Sequence, residues 1–210
     1  MLTRRWDKSR MNRRGTTMLS DIGTHALPPV WHEIEARSVA LGFDMPSDAR
    51  TGALLKALAA SKPGGRLLEL GTGTGLATAC LLAGMDDASR LVSIDVDARC
   101  QAVAREVLGS DPRVSFELMD GLEFIRAQPR QSFDLVFADA WPGKYDDLDS
   151  ALGLLRRGGL FIGDDMLPQA NWPERQLERV DNLIAHLQAL QEWTTVTLCW
   201  GSGFVIATRL

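Results

Sequence analysis

Cysteine and long apolar runs are scarce in this chain of 210 residues. The three cysteines, Cys80, Cys100 and Cys199, are scattered without CxxC spacing, which argues against a disulfide framework or a zinc site. Their apolar surroundings predict buried thiols. No run approaches the roughly 18 apolar residues that a membrane helix needs, and the chain starts without the apolar segment of a secretory signal. We therefore expect a cytoplasmic protein with no membrane partner.

Positive charge is concentrated at the N-terminal region, and the remainder of the chain is acidic. The net charge is −4, yet residues 1–17 set a basic cluster against the single Asp7: Arg4, Arg5, Lys8, Arg10, Arg13 and Arg14. This pattern predicts a basic, disordered arm over residues 1–20 and one globular domain over residues 21–210. Alternatives are an arm that contacts nucleic acid or anionic lipid, and upstream sequence ahead of a start at Met11 or Met18. The acidic remainder repels phosphate backbones, so nucleic acid is not expected as a substrate.

Segments with a helical period alternate with short apolar runs along the chain. This order is typical of βαβ units, and it predicts an α/β fold with a mostly parallel sheet and helices on both faces. Predicted helices cover 30–41, 50–60, a segment after Gly75, 98–108, 121–127, 146–155 and 174–192, the last with Pro173 at its first position; predicted strands cover 66–70, 91–94, 114–118, 133–138 and 159–162. Residues 194–209 are predicted to form a closing hairpin. A ligand site is expected at the carboxyl ends of the strands.

The stretch LLELGTGTGLA, from Leu67 to Ala77, places glycine at every second position directly after a predicted strand. Such a turn lets backbone approach a ligand closely and opens a helix whose first N–H groups are unpaired. The dinucleotide fingerprint GxGxxG requires a third glycine where this chain has Leu76, so the loop matches a dehydrogenase poorly. Asp95 ends the second strand, where an acid accepts hydrogen bonds from the ribose of any adenosine ligand. Asp97 is predicted to cap the next helix.

The motif ExGxGxG, from Glu69 to Gly75, resembles the first motif of class I S-adenosylmethionine-dependent methyltransferases. The resemblance implies their Rossmann-like, seven-stranded fold with a reversed last strand, and S-adenosylmethionine as the cofactor. Glu69 suits that cationic ligand better than it suits a pyrophosphate. The resemblance also implies cofactor contacts from the glycine loop and from residues after neighbouring strands: Glu69, Gly71, Thr72, Gly73, Gly75, Asp95, Val96, Asp120, Gly121 and Asp139. Asp120 is expected near the adenine amino group.

The stretch FDLVFADAWPGKYDDLDSALGLLRRGGLFIGDDM resembles the divalent-metal-dependent O-methyltransferases of the catechol/caffeoyl-CoA type. This resemblance implies that Asp139, Asp164 and Asp165 bind Mg²⁺ or another divalent cation, with Asp139 and Lys144 as the catalytic residues and Lys144 as the base. The chain departs from the pattern twice, with Asp165 in place of Asn and Pro142 in place of the family's Lys. The alternatives are that Asp164 and Asp165 only shape a turn, and that Lys144 is a solvated cation unless the Trp-Pro-Gly turn redirects it.

Apolar residues near the acids are predicted to exclude water and to line the acceptor pocket: Trp141, Met166 and Trp172. The alternative is that they pin their loops to the body of the domain. The segment that holds Trp31 and His32 is expected to form the opposite wall. His25 and His32 are candidate bases, although an isolated histidine is more often a surface or packing residue, and His186 is a weaker candidate.

The sequence therefore predicts an enzyme: an S-adenosylmethionine-dependent O-methyltransferase that acts on a small-molecule hydroxyl, with a divalent cation as an option. The alternatives are a metal-independent methyltransferase that acts on nitrogen, carbon or a carboxylate, and a non-catalytic module that binds S-adenosylmethionine. DAWPGK after the fourth strand does not match the (D/N)PPY sequence of nucleic-acid base methylases. Apolar faces on the first and last helices suggest a homodimer.

Overall fold

The predicted strands pair into one sheet. The structure is a computed structural model that describes residues 27–169 and 171–210, and the predicted basic arm and His25 lie outside these residues. The strands are β1 (Arg66–Leu70), β2 (Arg90–Asp95), β3 (Val114–Leu118), β4 (Phe133–Ala138), β5 (Leu155–Gly163), β6 (Trp193–Leu198) and β7 (Phe204–Arg209). The helices are α1 (Trp31–Leu41), α2 (Ala49–Ala60), α3 (Leu76–Gly84), α4 (Ala98–Leu108), α5 (Gly121–Ala127), α6 (Leu148–Gly153) and α7 (Gln176–Ala189).

The sheet is parallel except for its last strand along the chain. The strand order is β3-β2-β1-β4-β5-β7-β6, and β7 runs antiparallel to both β5 and β6. Leu70 pairs with Ile94 and with Ala138, and Ala138 pairs with Gly163. Strands β2, β1, β4 and β5 therefore end in register, and the residues that follow them emerge at one edge. The predicted mostly parallel sheet with a reversed last strand is confirmed.

Two hydrophobic cores cover the two faces of the sheet. Successive residues of a strand point to opposite faces, so Leu67 and Phe137 pack with α1–α4 while Leu68 and Val136 pack with α5–α7. Strands β1 and β4 are apolar apart from Arg66, Glu69 and Asp134, because both of their faces are buried. The edge strands β3 and β6 instead combine exposed with partly buried positions, and of their residues only Phe116 is buried.

The last helix begins later than the sequence predicts. Pro173 lies before α7, in a turn in which its carbonyl accepts a hydrogen bond from Gln176 N (3.2 Å). Arg175, which precedes the first helical residue, has a left-handed backbone (φ 67°). Leu177, in the first turn of α7, is exposed. The face that is buried consists of Gln176, Val180, Leu183 and Leu187.

Two further sequence predictions need correction. Strand β5 begins at Leu155 instead of Gly159, because a register shift against β4 lets Leu155 pair with Phe133 ahead of the regular pairing that starts at Leu160. Cys80 and Cys100 are buried as predicted, but Cys199 is exposed, since it lies in the connection beyond the last paired residues of the hairpin. All three cysteines are free thiols.

The apolar faces of α1 and α7 pack against their own domain. Trp31 and Ile34 join one core, and Val180, Leu183 and Leu187 join the other. The homodimer suggested by those faces stays a prediction and loses that support. Over residues 27–169 and 171–210, no helix has both the length and the apolar character to cross a membrane.

Helices α2 and α3 approach each other closely through glycine. A Cβ on Gly84 would lie 2.1 Å from the Lys56 carbonyl oxygen, and the backbone cannot move away without disturbing α2. We expect Gly84→Ala to lower the free energy of unfolding by about 2–3 kcal/mol through overpacking. Gly64→Ala is the matched control: its Cβ meets only Ala88 at 3.9 Å, so it should cost about 1–2 kcal/mol for a left-handed backbone alone. Urea unfolding measures both, and equal losses would contradict the packing argument.

Candidate functional site

A cavity of about 920 Å³ opens at the edge where β2, β1, β4 and β5 end. Its floor comes from the residues after these strands. Its walls come from residues 43–48 between α1 and α2, from the loop after β4, from the segment before α7, and from Gly201 and Ser202. The location agrees with the rule that open α/β sheets bind ligands beyond the carboxyl ends of their strands.

The glycine loop lines this cavity with Gly71, Thr72, Gly73 and Thr74. Gly71, Gly73 and Gly75 all have positive φ angles, of 99°, 51° and 100°. A Cβ on Gly71 would lie 2.9 Å from the carbonyl oxygen of Asp139, and a Cβ on Gly73 would lie 3.1 Å from the Phe43 ring. Gly71 therefore lets the end of β4 approach the loop, Gly73 lets the Phe43 ring lie against it, and Gly75 lets α3 pack against Ala104 on α4. Gly71 and Gly73 line the cavity, and Gly75 does not.

Asp95 fixes the loop and also faces the cavity. Its Oδ2 accepts a hydrogen bond from Gly73 N (2.7 Å), and its Oδ1 accepts one from Asp97 N (2.8 Å). Val96, the next residue, lines the cavity and is exposed. Asp97 caps α4 as predicted, since its carboxylate accepts from Arg99 N and Cys100 N. The carboxylate of Asp95 keeps unused lone pairs that can accept from a bound hydroxyl.

Glu69 lies beneath the loop and does not line the cavity. Its Oε2 accepts hydrogen bonds from the hydroxyls of Thr78 and Ser93, and Ser93 in turn bonds to Thr72 of the loop (2.7 Å). Its Oε1 has no hydrogen-bond partner. Burial raises the pKa of Glu69 to about 8, although the two hydroxyl donors oppose the shift. The side chain therefore ties β1, β2 and α3 together as a neutral acid at neutral pH.

Three carboxyl groups and one ammonium meet on the opposite side of the cavity. Asp139, Asp164, Asp165 and Lys144 all line it. Asp164 and Lys144 are buried, and Lys144 Nζ donates to the backbone carbonyl of Asp164 (3.1 Å). The Oδ1 of Asp164 accepts from the Ser202 hydroxyl and from Asp165 N (2.7 Å). The Trp-Pro-Gly turn thus brings Lys144 inward and not into solvent.

Burial and mutual proximity raise the pKa values of these three acids. Burial, and then the charge of Asp164, raise the pKa of Asp139 well above its usual range. Burial, and then the charge of Asp165, raise the pKa of Asp164 to about 7. Burial also raises the pKa of Asp165. The charge of Lys144 opposes each of these shifts, so it is the cation that partly neutralises the group.

The donor set does not fit a divalent cation. Among residues 27–169 and 171–210, no group of three or more His, Cys, Asp or Glu side chains is placed to hold a metal ion. The Oδ1 of Asp164 already accepts two hydrogen bonds. The backbone carbonyl oxygen of Asp164 accepts a third, from Lys144 Nζ. Asp165 has a left-handed backbone (φ 59°). A hard cation needs about six oxygen ligands, or waters held by them, around one point. The site is therefore assigned no metal ion.

Aromatic side chains form the wall next to the acids. Trp141 and Trp172 line the cavity, and the guanidinium of Arg179 on α7 stacks over the Trp141 ring at 4.5 Å. Trp141 also meets the Tyr145 ring edge-on, with centroids 6.3 Å apart. Met166, predicted for the same wall, is buried in the core beneath and does not line the cavity.

Several other predicted site residues lie elsewhere. Trp31 is a core residue, and the exposed His32 pairs with Glu35 on its own helix. His186 pairs with Asp149 on the surface. Asp120 caps α5 by accepting from Leu122 N and Glu123 N, and it is the neighbouring Gly121 that lines the cavity. By sequence alone, none of these four positions could be distinguished from a packing or capping residue.

The sequence also missed residues that line the cavity. Residues 43–48 line the cavity beside the glycine loop. The only local sequence feature that pointed to this segment was Pro46, which precedes Asp48, the N-cap of α2. Ser202 reaches Asp164 from the hairpin turn. Gln176 is buried and lines the cavity, and its Oε1 has no hydrogen-bond partner. Each lies far along the chain from the motifs that it contacts.

The fold and site define a class of protein: a Rossmann-like α/β domain with a reversed last strand, a glycine loop after β1 and an acid at the end of β2. Residues 68–166 match the family described as a methyltransferase domain. Over 197 residues the chain is 32% identical to a protein of Mycobacteroides abscessus named "Putative O-methyltransferase", covering 82% of this chain and 85% of that protein. The chain belongs to this methyltransferase family, as the sequence motifs predicted.

Other comparisons agree with this family. A protein of Mycobacterium ulcerans with the same name is 34% identical over 132 residues, which cover 60% of this chain and 58% of that protein. The match thus spans little more than half the length of that relative. The crystal structure of an O-methyltransferase from Bacillus cereus, in complex with SAH, has a TM-score of 0.75 at 22% identity and covers 86% of this chain and 90% of its own. It shows that the fold is shared.

The pKa of Glu69 predicts how stability changes with pH. The folded state keeps the proton up to about pH 8, while the unfolded state loses it near its ordinary pKa of about 4.3. Between these values the folded state binds more protons, so stability decreases as pH rises, by up to about 1.4 kcal/mol per pH unit, and levels off above the folded pKa. Glu69→Gln, which keeps an oxygen for Thr78 and Ser93, should remove this one contribution.

Urea unfolding at several values between about pH 5 and about pH 8.5 checks the prediction. The variant should lose less stability than the wild type as pH rises, and the difference between the two should track one proton. Asp139 and Asp164 leave both proteins with a residual slope, so only the difference reports on Glu69. Identical slopes would show that Glu69 is ionised in the folded state.

Proposed function

We propose that the chain is an S-adenosylmethionine-dependent O-methyltransferase that acts on a hydroxyl group of a small molecule. One observation carries the proposal: a single cavity holds the glycine loop and Asp95 beside β1 and β2, and Asp139 and Lys144 beside β4 and β5. The cavity volume lies within the range of small-ligand sites. The names of the relatives and of the Bacillus cereus protein support the same reaction class.

The cofactor half lies over β2 and β1. Gly71 and Gly73 line this half without side chains, and Asp95 would accept hydrogen bonds from ribose hydroxyls. Val96 would contact the base. When bound, the cofactor supplies a methyl group on a positively charged sulfur. Asp139 stands one strand further on, and this carboxylate favours a cationic ligand over a pyrophosphate.

The acceptor half lies over β4 and β5. Adjacent strands are about 4.8 Å apart, so the ends of β2 and β5 are separated by roughly 14 Å, which spaces the two halves for a two-ligand reaction. Asp139 would remove the proton from the acceptor hydroxyl, because its raised pKa brings it closer to that of the group it deprotonates. Lys144, which the sequence predicts as the base, already donates to Asp164 and is assigned here as a hydrogen-bond donor. Trp141 and Trp172 would keep water out.

The alternatives from the sequence have less support. A carboxylate acceptor would be repelled by the three acids, and a module that only binds the cofactor has no use for a buried lysine in the second half of the cavity. We propose a small molecule as the only substrate partner, with neither nucleic acid nor membrane. A cytoplasmic location and a homodimer stay predictions.

Asp95 tests the cofactor half. Asp95→Ala should weaken binding of S-adenosylhomocysteine by roughly 10- to 100-fold, the size expected for lost hydrogen bonds to a charged group. Asp95→Asn should lose less, since one oxygen can still accept from Gly73 N. Asp97→Asn is the control, because it keeps the cap on α4. Calorimetry measures all three, and an unchanged dissociation constant in Asp95→Ala would refute the assigned contact.

Asp139 tests the acceptor half. Asp139→Asn should abolish turnover with an active phenol or catechol, since the amide cannot take a proton, and it should leave S-adenosylhomocysteine affinity nearly unchanged. In the wild type, kcat should decrease as pH falls through the raised pKa of Asp139. A panel of phenols, catechols and carboxylic acids identifies the acceptor class. Full turnover in the variant would remove Asp139 from the reaction.

A further inference from the structure

We propose that the ammonium group of Lys144 takes the place of a divalent cation in this site, so that the acceptor oxygen is held and polarised by a resident cation of the chain. This inference rests on the proposed function and concerns how its acceptor half works. It reverses the metal dependence that the resemblance to catechol-type enzymes implies.

The turn after β4 delivers the ammonium to the acids. Trp141 O accepts from Lys144 N (3.1 Å) and Tyr145 N (2.9 Å), and Gly143 has a φ of 74°. A Cβ on Gly143 would lie 2.7 Å from Leu70 Cδ1, so the turn packs tightly against the end of β1. Lys144 is only 3% exposed, and the little that is exposed faces the cavity. A solvated loop cation would not show this burial.

The position of the ammonium is fixed by several contacts. Nζ donates to the Asp164 carbonyl oxygen at 3.1 Å and lies 5.2 Å from the centroid of the Tyr145 ring. Among the described residues, Lys144 is the cation that acts on Asp139, Asp164 and Asp165 alike. A buried charge of this kind is tolerated when opposite charges and hydrogen bonds surround it.

The same contacts make the site unsuited to a metal. A metal ion would need lone pairs that Asp164 gives to Ser202, to Asp165 N and to Lys144. It would also have to share the pocket with an ammonium, and two cations at such short range repel each other. The described residues contain no group of acids, cysteines or histidines placed to hold an ion here. The lysine and a divalent cation are therefore alternatives for one position.

The ammonium can supply what a metal would supply to the acceptor. It carries three N–H donors, of which the Asp164 carbonyl takes one. A donor that remains can bind the acceptor oxygen, stabilise the oxyanion as the proton moves to Asp139, and hold the oxygen in place for transfer. Lysine is more weakly polarising than Mg²⁺, so this arrangement suits acidic hydroxyls such as phenols.

Removing the ammonium should uncover a metal site. In Lys144→Ala the three carboxyl groups lose their shared cation and gain the space that its side chain fills, so carboxyl groups that are not placed to hold a metal in the wild type can turn toward one. The variant should bind Mn²⁺ at least about tenfold more tightly than the wild type, a change on the scale of one charge–charge interaction. Lys144→Arg keeps the charge and should bind Mn²⁺ as weakly as the wild type. Lys62→Ala removes a lysine that bonds to Gly158 far along the chain and is the control for net charge. Electron paramagnetic resonance titration of free Mn²⁺ measures binding.

If Lys144→Ala does not fold, the wild type alone still tests the proposal. Its turnover should be unchanged by chelator and by added Mg²⁺, and its Mn²⁺ binding should be no stronger than that of Lys62→Ala. Loss of turnover in chelator, or tight Mn²⁺ binding that Asp139→Asn abolishes, would overturn the proposal, as would a folded Lys144→Ala variant without increased Mn²⁺ affinity. Calorimetry with S-adenosylhomocysteine separates the two claims, since failure of that binding overturns the proposed function and leaves the Mn²⁺ result to decide the role of Lys144.

Discussion

The register of the four central strands is the constraint on which the site depends. Because β2, β1, β4 and β5 end in line, the side chains and loops that follow them meet at one edge without any further element to gather them. The contact between Gly71 and the carbonyl of Asp139 shows how tight this edge is: the two halves of the cavity touch through backbone. A side chain at position 71 would push them apart.

Burial of carboxyl groups under this edge raises their pKa values and so determines the charge of the site. Glu69 lies below the glycine loop as a neutral acid that accepts two hydroxyl donors, and it acts by holding the loop. Asp139, Asp164 and Asp165 are crowded beside it, and a single ammonium offsets part of their charge. The cost of removing these charges from water is met in part by hydrogen bonds from Ser202 and from the backbone.

Local patterns predicted most of the fold and part of the site. β1, β3, β4, α4 and α5 have the predicted bounds, because their periods are clear and capping or glycine residues mark their ends. The start of α7 was wrong, because a proline that suits a first helical turn equally suits the turn before it. Trp31 and Met166 looked like pocket residues and are core residues, since apolarity alone does not say which way a side chain faces. Ser202 was missed because its partner is 38 positions away.

The stacking of Arg179 on Trp141 joins the acceptor wall to α7 and leaves the glycine loop untouched. Changes in the loop after β4 and in α7 can therefore alter the proposed acceptor half of the cavity while leaving the proposed cofactor half unchanged. A domain divided in this way can acquire new acceptors without having to reinvent its donor chemistry.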